Sequence, residues 1–375
     1  MLDLDFDQEQ ELLRQTVRDR LARHCSLEVV RQMEDDPVGY PASLWEQLGA
    51  LDVIGLLLPE EYGGSGMSLI EGVALYEELG RALAPTPHFV SAVLSGGVLA
   101  AAGSDDLKNR WLRPIASGEA IVTPAWLEPE NGFSPRGVAV RAEPDGAGFR
   151  LSGLKRHVAF AAAADRFIVL ARTGDADDAI DLFVVDPRAQ GVTLRQQFSV
   201  ASDTQYEVTF DKVAIGAEDR IGAAGSGWAT WQAVLEPALV LLGAQAVGGA
   251  RYALEITTQY ALDRRQFDKP LGAFQALAHN LADAVTRLDG AEQLVHEAAW
   301  AGATGRPLHS LAPMAKLFAC EAFRDITAMA QQLFGGIGFT LDFDIQLYFR
   351  RAKTQQLMWA NDRVLEDAVA AALLD

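Results

Sequence analysis

Between residues 260 and 275 the chain reads Tyr260-Ala-Leu-Asp-Arg264-Arg265-Gln266-Phe267-Asp-Lys269-Pro270-Leu-Gly272-Ala-Phe274-Gln275, a basic and aromatic turn bounded by Pro and Gly. Arginine presents a rigid planar fork of N–H donors that matches paired phosphate oxygens. Phenylalanine presents a ring face, and glutamine pairs a donor with an acceptor, as the edge of an adenine requires. The stretch therefore suits a planar, phosphorylated ligand. It equally suits a solvated arginine pair at the negative end of a helix. A second turn, Gln332-Leu-Phe-Gly335-Gly336-Ile-Gly338-Phe339, brings paired glycines whose N–H groups no side chain obstructs; taken alone it is a helix C-cap.

These turns need long helices to carry them. A capped amphipathic helix begins at Asp7, with Gln10 three residues on and Leu13, Val17 and Leu21 along one face. Further helical patterns cover residues 42–51, 68–83, 89–102 and 105–117. The glycines of the 58–67 segment follow no strand and fit a structural loop. From residue 120 the texture becomes short β-branched runs at 120–126, 137–142, 149–152, 167–171, 182–185, 192–194 and 206–210, with Asp145-Gly146 as a turn. No helix-length pattern intervenes, which favours an antiparallel sheet or barrel over a doubly wound fold. Helices return at Gly227: a short one to Glu236, a new one starting at Pro237 and running to about Arg264, then one along Phe274, Leu277, Leu281, Val285 and Leu288, one over 309–334 and one over 362–374. The fold class is α+β multi-domain, with a helical domain at 1–118, a β domain at 119–226 and a helical bundle at 227–375.

A chain of 375 residues with 49% hydrophobic content supports more than one domain. Its net charge of −19 argues against nucleic acid and anionic membrane surfaces. Cys25 and Cys320 stand far apart, as free structural thiols do, and the six histidines have no metal-ligand spacing. No metal is expected. The N-terminus has no apolar h-region, no run approaches the ~18 apolar residues of a membrane span, and the cytoplasm is the expected compartment.

The order of helical, β and helical parts, with these turns, resembles the acyl-CoA dehydrogenase family of flavoproteins over nearly the whole chain. Pro59-Glu-Glu-Tyr62-Gly63-Gly64 resembles the family's N-terminal signature, and Glu77-Glu78-Leu79-Gly80-Arg81 follows it with Pro85 and Pro87. The 264–279 stretch resembles its strongest motif, and 332–339 with Arg350 and Lys353 its second. The resemblance implies FAD shared between two subunits, a four-helix C-terminal bundle, an acyl-CoA substrate and an electron-transfer flavoprotein as electron acceptor. It implies that Arg264, Gln266 and Phe267 meet the pyrophosphate region and that Gln275, Gln332, Gly335 and Gly336 hold the adenosine end. The implied chemistry is removal of the α-proton of an acyl thioester by a carboxylate while hydride leaves the β-carbon for the flavin.

The chain departs from the family at the base and at the flavin cup. The commonest base position falls on Trp359-Ala360-Asn361, and the alternative position falls on Ala238; neither can take a proton. Glu236 is the remaining candidate, although two residues along a helix turn a side chain by ~200°, and it equally fits an acidic residue at a helix N-terminus. Asp342 resembles a structural acidic position. Leu127-Glu128-Pro129 with Gly132-Phe133-Ser134 stands where the family's Thr-Glu-Pro segment does, and His157-Val158-Ala159 where its Trp-Ile-Thr packs on the flavin. An exposed or satisfied surface residue is the ordinary reading of His157, and the β domain is expected to hold its flavin weakly or not at all.

That asymmetry resembles the α2β2 branch, in which a homologous subunit completes the site; a homotetramer is the alternative assembly. The branch implies bulky acyl groups such as steroid side chains or dicarboxylic esters, in fatty acid or steroid side-chain β-oxidation and lipid catabolism. Two other readings stand beside it: a non-catalytic structural subunit that clamps the ADP half of a partner's FAD, and a nucleic-acid-binding stress-response relative, which the acidic balance disfavours.

Overall fold

The computed structural model describes residues 4–129 and 133–374. Six helices come first: α1 (Gln8–His24), α2 (Leu27–Gln32), α3 (Ala42–Gly49), α4 (Leu69–Arg81), α5 (Gly96–Ala102) and α6 (Asp105–Ser117). Asp7 caps α1 in a reciprocal box with Gln10, and Ser68 caps α4 with Glu71, so the first-turn N–H groups at both starts find side-chain acceptors. The 89–102 pattern opens as a π-helix, Phe89–Ser95, before α5.

The strands are β1 (Val122–Ala125), β2 (Arg141–Asp145), β3 (Gly148–Ala159), β4 (Arg166–Arg172), β5 (Ile180–Val185), β6 (Val192–Gln197), β7 (Gln205–Gly216) and β8 (Arg220–Ile221). They form one sheet in the order β6-β7-β3-β2-β4-β5-β8, with β1 on β4. Pairing is mainly antiparallel, but β1 and β2 each meet β4 in parallel, a detail the alternating pattern does not encode. Leu151, Phe167, Phe183, Val208, Phe210 and Val213 are buried in its core.

The helices then resume as α7 (Gly227–Asp263), a short hairpin of β9 (Arg265–Gln266) and β10 (Lys269–Pro270), α8 (Gln275–Ala303), α9 (Leu311–Phe334), α10 (Ile345–Leu357) and α11 (Asp362–Leu374). Pro237 does not begin a new helix; it lies inside the continuous 37-residue α7. Proline forfeits one intrahelical bond, and the buried Trp231, Val234, Ala238, Val240 and Leu241 on either side keep the flanking turns helical. Glu236 is therefore a half-buried residue nine positions into a helix, not a residue at a helix start. One window of α7 is long and apolar enough to cross a membrane, with mean hydropathy 1.5, contrary to the expectation that no run approaches it; 72% of that window is buried within the protein, as in a core helix.

Two compact units emerge, one of residues 1–30, 68–84 and 239–375, the other of 31–67 and 85–238. In the first, α4 and α7 touch backbone to backbone: a Cβ at Gly80 would lie 1.9 Å from the Gln245 carbonyl oxygen, and one at Gly248 would lie 1.8 Å from that of Glu77. In the second, the 58–67 segment is a structural loop, since a Cβ at Gly64 would lie 2.1 Å from the Leu58 oxygen.

Candidate functional site

The two glycine and arginine turns of the first unit are brought together by aromatic residues. Tyr260, one turn before Arg264, stacks at 4.3 Å on Phe334, the last residue of α9, and Phe343 meets Phe334 at 5.0 Å. The Arg264 main chain continues α7 through its N–H to Tyr260 and closes the hairpin by accepting from Leu271. At the hairpin tip Phe267 and Asp268 both have positive φ, +50° and +64°, the pair of left-handed residues that a tight two-residue turn requires. Arg265 braces that turn by donating to the Asp268 oxygen at 2.7 Å, and Gln266 donates to the Arg265 oxygen. Phe267 is 87% exposed and meets the Phe274 ring edge-on.

Arg264, Gln266, Gln275, Gln332, Gly335 and Gly336 are all exposed. Gly335 ends α9 with φ +67°, and nothing lies within 4 Å of a Cβ built on it or on Gly336. Gln275 opens the 29-residue α8, whose cap residue, Phe274, offers no side-chain acceptor to the first-turn N–H groups. A guanidinium, two carboxamides, a ring face, a bare glycine turn and a helix N-terminus on exposed surface fit the nucleotide half of FAD. Of the residues the sequence nominated there, Arg265 and Gln266 are engaged in the turn itself.

The segment that resembles the family's usual base position is buried. Trp359 is 7% exposed with φ +66°, and Ala360 is buried beside it. Beneath them Lys316, fully buried on α9, donates to the Gln355 oxygen at 3.1 Å and the Ala360 oxygen at 2.8 Å. The ammonium thus satisfies carbonyls at the C-terminal end of α10, where a cation is favoured. Burial holds its pKa below the usual lysine value. Ala238 is 1% exposed. Asp342 is exposed on the loop after the glycine turn.

In the second unit Glu128 is not a remnant but the centre of a buried polar knot. Its carboxylate accepts from the main-chain N–H groups of Ala139 and Val140 and from Lys155 Nζ at 2.7 Å. Lys155 also donates to the Trp126 oxygen and is wholly buried, which pushes its pKa down to about 8 against the pull of Glu128. Trp126 stacks on Trp231 at 5.2 Å and on Phe133 at 5.5 Å. Gly132 lies outside the described residues. Sequence reasoning missed Lys155; its pairing follows from a strand crossing over 27 residues later and leaves no local pattern. His157 is exposed, and its ring Nδ1 lies 2.8 Å from Gln205 Oε1.

Two other features fall apart from the nominated residues. A groove of about 580 Å³, lined by Arg18, Cys25, Glu78, Arg81, Tyr252 and Tyr348, contains none of them. Glu77, Glu292 and His296 lie close enough to share an ion. Arg14, however, stands 3.6 Å from Glu77 and Arg251 stands 2.5 Å from Glu292, so the carboxylates already face guanidinium groups. Both ring nitrogens of His296 face acceptors, Glu77 Oε1 at 2.8 Å and the Leu4 oxygen at 3.1 Å, the arrangement of an imidazolium. Burial works against that charge, but the bond to Glu77 and the field of both carboxylates prevail and its pKa is raised.

Models of the acyl-CoA dehydrogenase N-terminal, middle and C-terminal domains match residues 7–119, 124–213 and 225–374. The benzylmalonyl-CoA dehydrogenase of Aromatoleum aromaticum is 30% identical over 375 residues, covering 98% of this chain and 99% of the relative. The acyl-CoA dehydrogenase IpdE2 of Mycolicibacterium smegmatis is 31% identical, covering 92% and 93%. Among solved structures, the ChsE4-ChsE5 complex from Mycobacterium tuberculosis superposes with a TM-score of 0.90 at 26% identity, covering 100% of this chain and 99% of the other, and the Tcur3481-Tcur3483 steroid ACAD with 0.86 at 29%, covering 98% and 99%. With all three domains matched in order, the chain belongs to the acyl-CoA dehydrogenase family, oxidoreductases that bind FAD and act on the CH–CH bond of an acyl-CoA thioester.

Proposed function

We propose that this chain is one subunit of an α2β2 acyl-CoA dehydrogenase, with a homologous partner completing the active site, and that it desaturates a bulky acyl-CoA such as a steroid side-chain ester. The observation that carries this reading is the buried segment that resembles the base position: Trp359 is buried on a left-handed backbone over Lys316, and Ala238 is an alanine. The exposed turns around Arg264 and Gly335 support it from the other side, since among the described residues nothing lies within 4 Å of a Cβ built on Gly335 or Gly336. Two of the similar structures carry paired names, the ChsE4-ChsE5 complex and the Tcur3481-Tcur3483 steroid ACAD.

The division of labour follows from the residues. FAD, when bound, supplies the hydride acceptor for the β-carbon. Arg264, Gln266 and Phe267 hold its pyrophosphate region, and Gln275, Gln332, Gly335 and Gly336 its adenosine end. Glu236, half-buried in α7, is this chain's own candidate for the α-proton acceptor, and a carboxylate of the partner is the other. The domains are taken as 1–118, 119–226 and 227–375, the electron acceptor as an electron-transfer flavoprotein, and the compartment as cytoplasm. The second reading, a non-catalytic subunit that only clamps the ADP half of the partner's FAD, is favoured by the same Trp359.

Purification of the chain alone and with its homologue separates these readings by colour. The paired reading expects a colourless or weakly yellow chain alone, a yellow complex, and anaerobic bleaching of that complex by an acyl-CoA. A chain that is yellow and bleached by itself overturns it. In the active complex, Glu236→Gln lowers the desaturation rate by about 10²- to 10⁴-fold if Glu236 takes the proton; a full rate assigns the base to the partner.

A further inference from the structure

The short arm that precedes α1 is tied down by a histidine from the far end of the chain. His296 lies on α8 and is 8% exposed, and its ring stands between two acceptors: Glu77 Oε1 of α4, 2.8 Å from Nε2, and the Leu4 oxygen, 3.1 Å from Nδ1. Phe6 meets that ring at 4.7 Å and the Arg14 guanidinium at 5.5 Å, so the arm's one aromatic group leans on two cationic neighbours. Packing at this seam is thin. A cavity of about 30 Å³ is lined by Leu4 and Phe6 of the arm, Ile70 and Val73 of α4 and Trp300 of α8. An unfilled seam forfeits dispersion contacts, which leaves more of the arm's attachment to its polar contacts.

The chemistry of the two acceptors makes that attachment depend on a proton. A carboxylate and a carbonyl oxygen only accept, so both bonds exist only while both ring nitrogens carry hydrogen. A neutral ring has one N–H. The buried carboxylate of Glu77 is the stronger acceptor and keeps it. Nδ1 then turns a lone pair toward the Leu4 oxygen, and Phe6 loses one of its two cations. Acidic groups surround the ring: Glu77 faces it from α4, Glu292 from one turn back on α8, and the exposed Asp5 lines the same cavity. The nearby cations are already paired, Arg14 of α1 with Glu11 at 2.8 Å and Glu77 at 3.6 Å, and Arg251 of α7 with Glu292 at 2.5 Å. Burial opposes the charge on the ring, but the bond to Glu77 and the field of the two carboxylates outweigh it and hold the pKa above the usual histidine value.

We propose that His296 is a proton-operated latch: the imidazolium ties residues 4–7 to α4 and α8, and the neutral ring keeps Glu77 and lets the arm go. The direction follows from the raised pKa. The arm is fully held below the unfolded histidine value of about 6.5 and is released as pH rises through the higher folded value. Release opens the cavity beside Ile70 and Val73 to water. The rest of α1 stays down, because Arg18 joins Glu78 of α4 through two bonds, at 2.8 and 2.6 Å, that involve no histidine. The latch uses no residue of the nucleotide turns.

Amide hydrogen exchange of the full chain, followed across the histidine range and corrected for the intrinsic pH dependence of exchange, reads the arm directly. Protection of the 4–11 peptide falls by about 10- to 150-fold as His296 loses its proton, the loss of one hydrogen bond to a charged group, while the 18–24 peptide is unchanged. Imidazole ¹H–¹⁵N spectra of the ¹⁵N-histidine-labelled chain, assigned with His296→Gln, follow the ring in the same samples. Both ring nitrogens carry hydrogen on the acid side, and the neutral form is the Nε2–H tautomer. His296→Gln makes protection of the 4–11 peptide independent of pH. Glu292→Gln removes a neighbouring charge and moves the ring titration and the exchange midpoint together to lower pH, a displacement that a purely structural contact would not show, and it keeps the test alive should His296→Gln not fold. A neutral ring that keeps its hydrogen on Nδ1, arm protection that stays flat while the ring titrates, or midpoints that separate in Glu292→Gln overturns the proposal.

Discussion

The turns around Arg264 and Gly335 and the β-domain segments around Glu128 and His157 are built in opposite ways. The first is exposed and open: Phe267 is 87% exposed and the glycines face empty space. The second is closed upon itself, with Lys155 and Glu128 buried as a pair and Gln205 buried behind His157. An open turn keeps its chemistry in side chains that a ligand must still meet, so its residue types remain close to the motif. A closed knot has to satisfy its own polar groups, and residues there are answerable to neighbours in the chain as much as to a ligand. The half that looks degraded by motif is a polar structure with its own internal logic.

The largest effect that tests this contrast falls on the closed half. Glu128→Ala leaves the buried Lys155 ammonium without its carboxylate and strands two main-chain donors, and it lowers stability by about 3–5 kcal/mol, read from chemical denaturation. A variant as stable as the parent would mean that the knot relaxes toward water. The open half responds differently. Arg264→Ala leaves the melting temperature of the flavin-free chain unchanged but costs about 1.5–3 kcal/mol of FAD binding, or roughly 10- to 150-fold in the dissociation constant followed by flavin fluorescence. Equal losses of stability and binding would erase the distinction.

The glycines sharpen it at smaller scale. Gly335→Ala has room for its methyl group but the wrong backbone, and costs the flavin-free chain about 1–2 kcal/mol. Gly336→Ala costs that chain nothing measurable and still weakens FAD, since any penalty there comes from the ligand. The smallest effect is a slope. The imidazolium of His296 has a raised pKa, so its stabilising contribution is complete below the unfolded histidine value of about 6.5 and disappears as pH rises through the higher folded value. Thermal unfolding across that range shows declining stability on the alkaline side for the parent and a flatter profile for His296→Gln.

Much of this molecule was legible along the chain because its determinants are local. The Asp7 and Gln10 cap, the Ser68 start and the strand runs from 120 to 210 depend on residues a few positions apart, and each appears close to where its pattern puts it except the 137–142 run, whose strand begins only at Arg141. The break read at Pro237 failed because proline's cost of one hydrogen bond is local while the burial that outweighs it is not. The cluster of Glu77, Glu292 and His296 joins α4 to α8, so only the four-residue spacing of Glu292 and His296 along α8 was local, and the partner Glu77 left no spacing to read.

The sequence by itself determined the order of helical, β and helical parts, the residue types of the turns at Arg264 and Gly335, and the absence of a carboxylate at Trp359 and Ala238, because identity and spacing are properties of the string. Only the tertiary structure decided what those positions face. It buried Trp359 above Lys316, joined Lys155 to Glu128, and oriented His157 through Gln205 and Asp203. The physical reason is that a buried polar group must find its partner wherever the fold brings one within about 3 Å, and that distance is set by packing rather than by position in the chain.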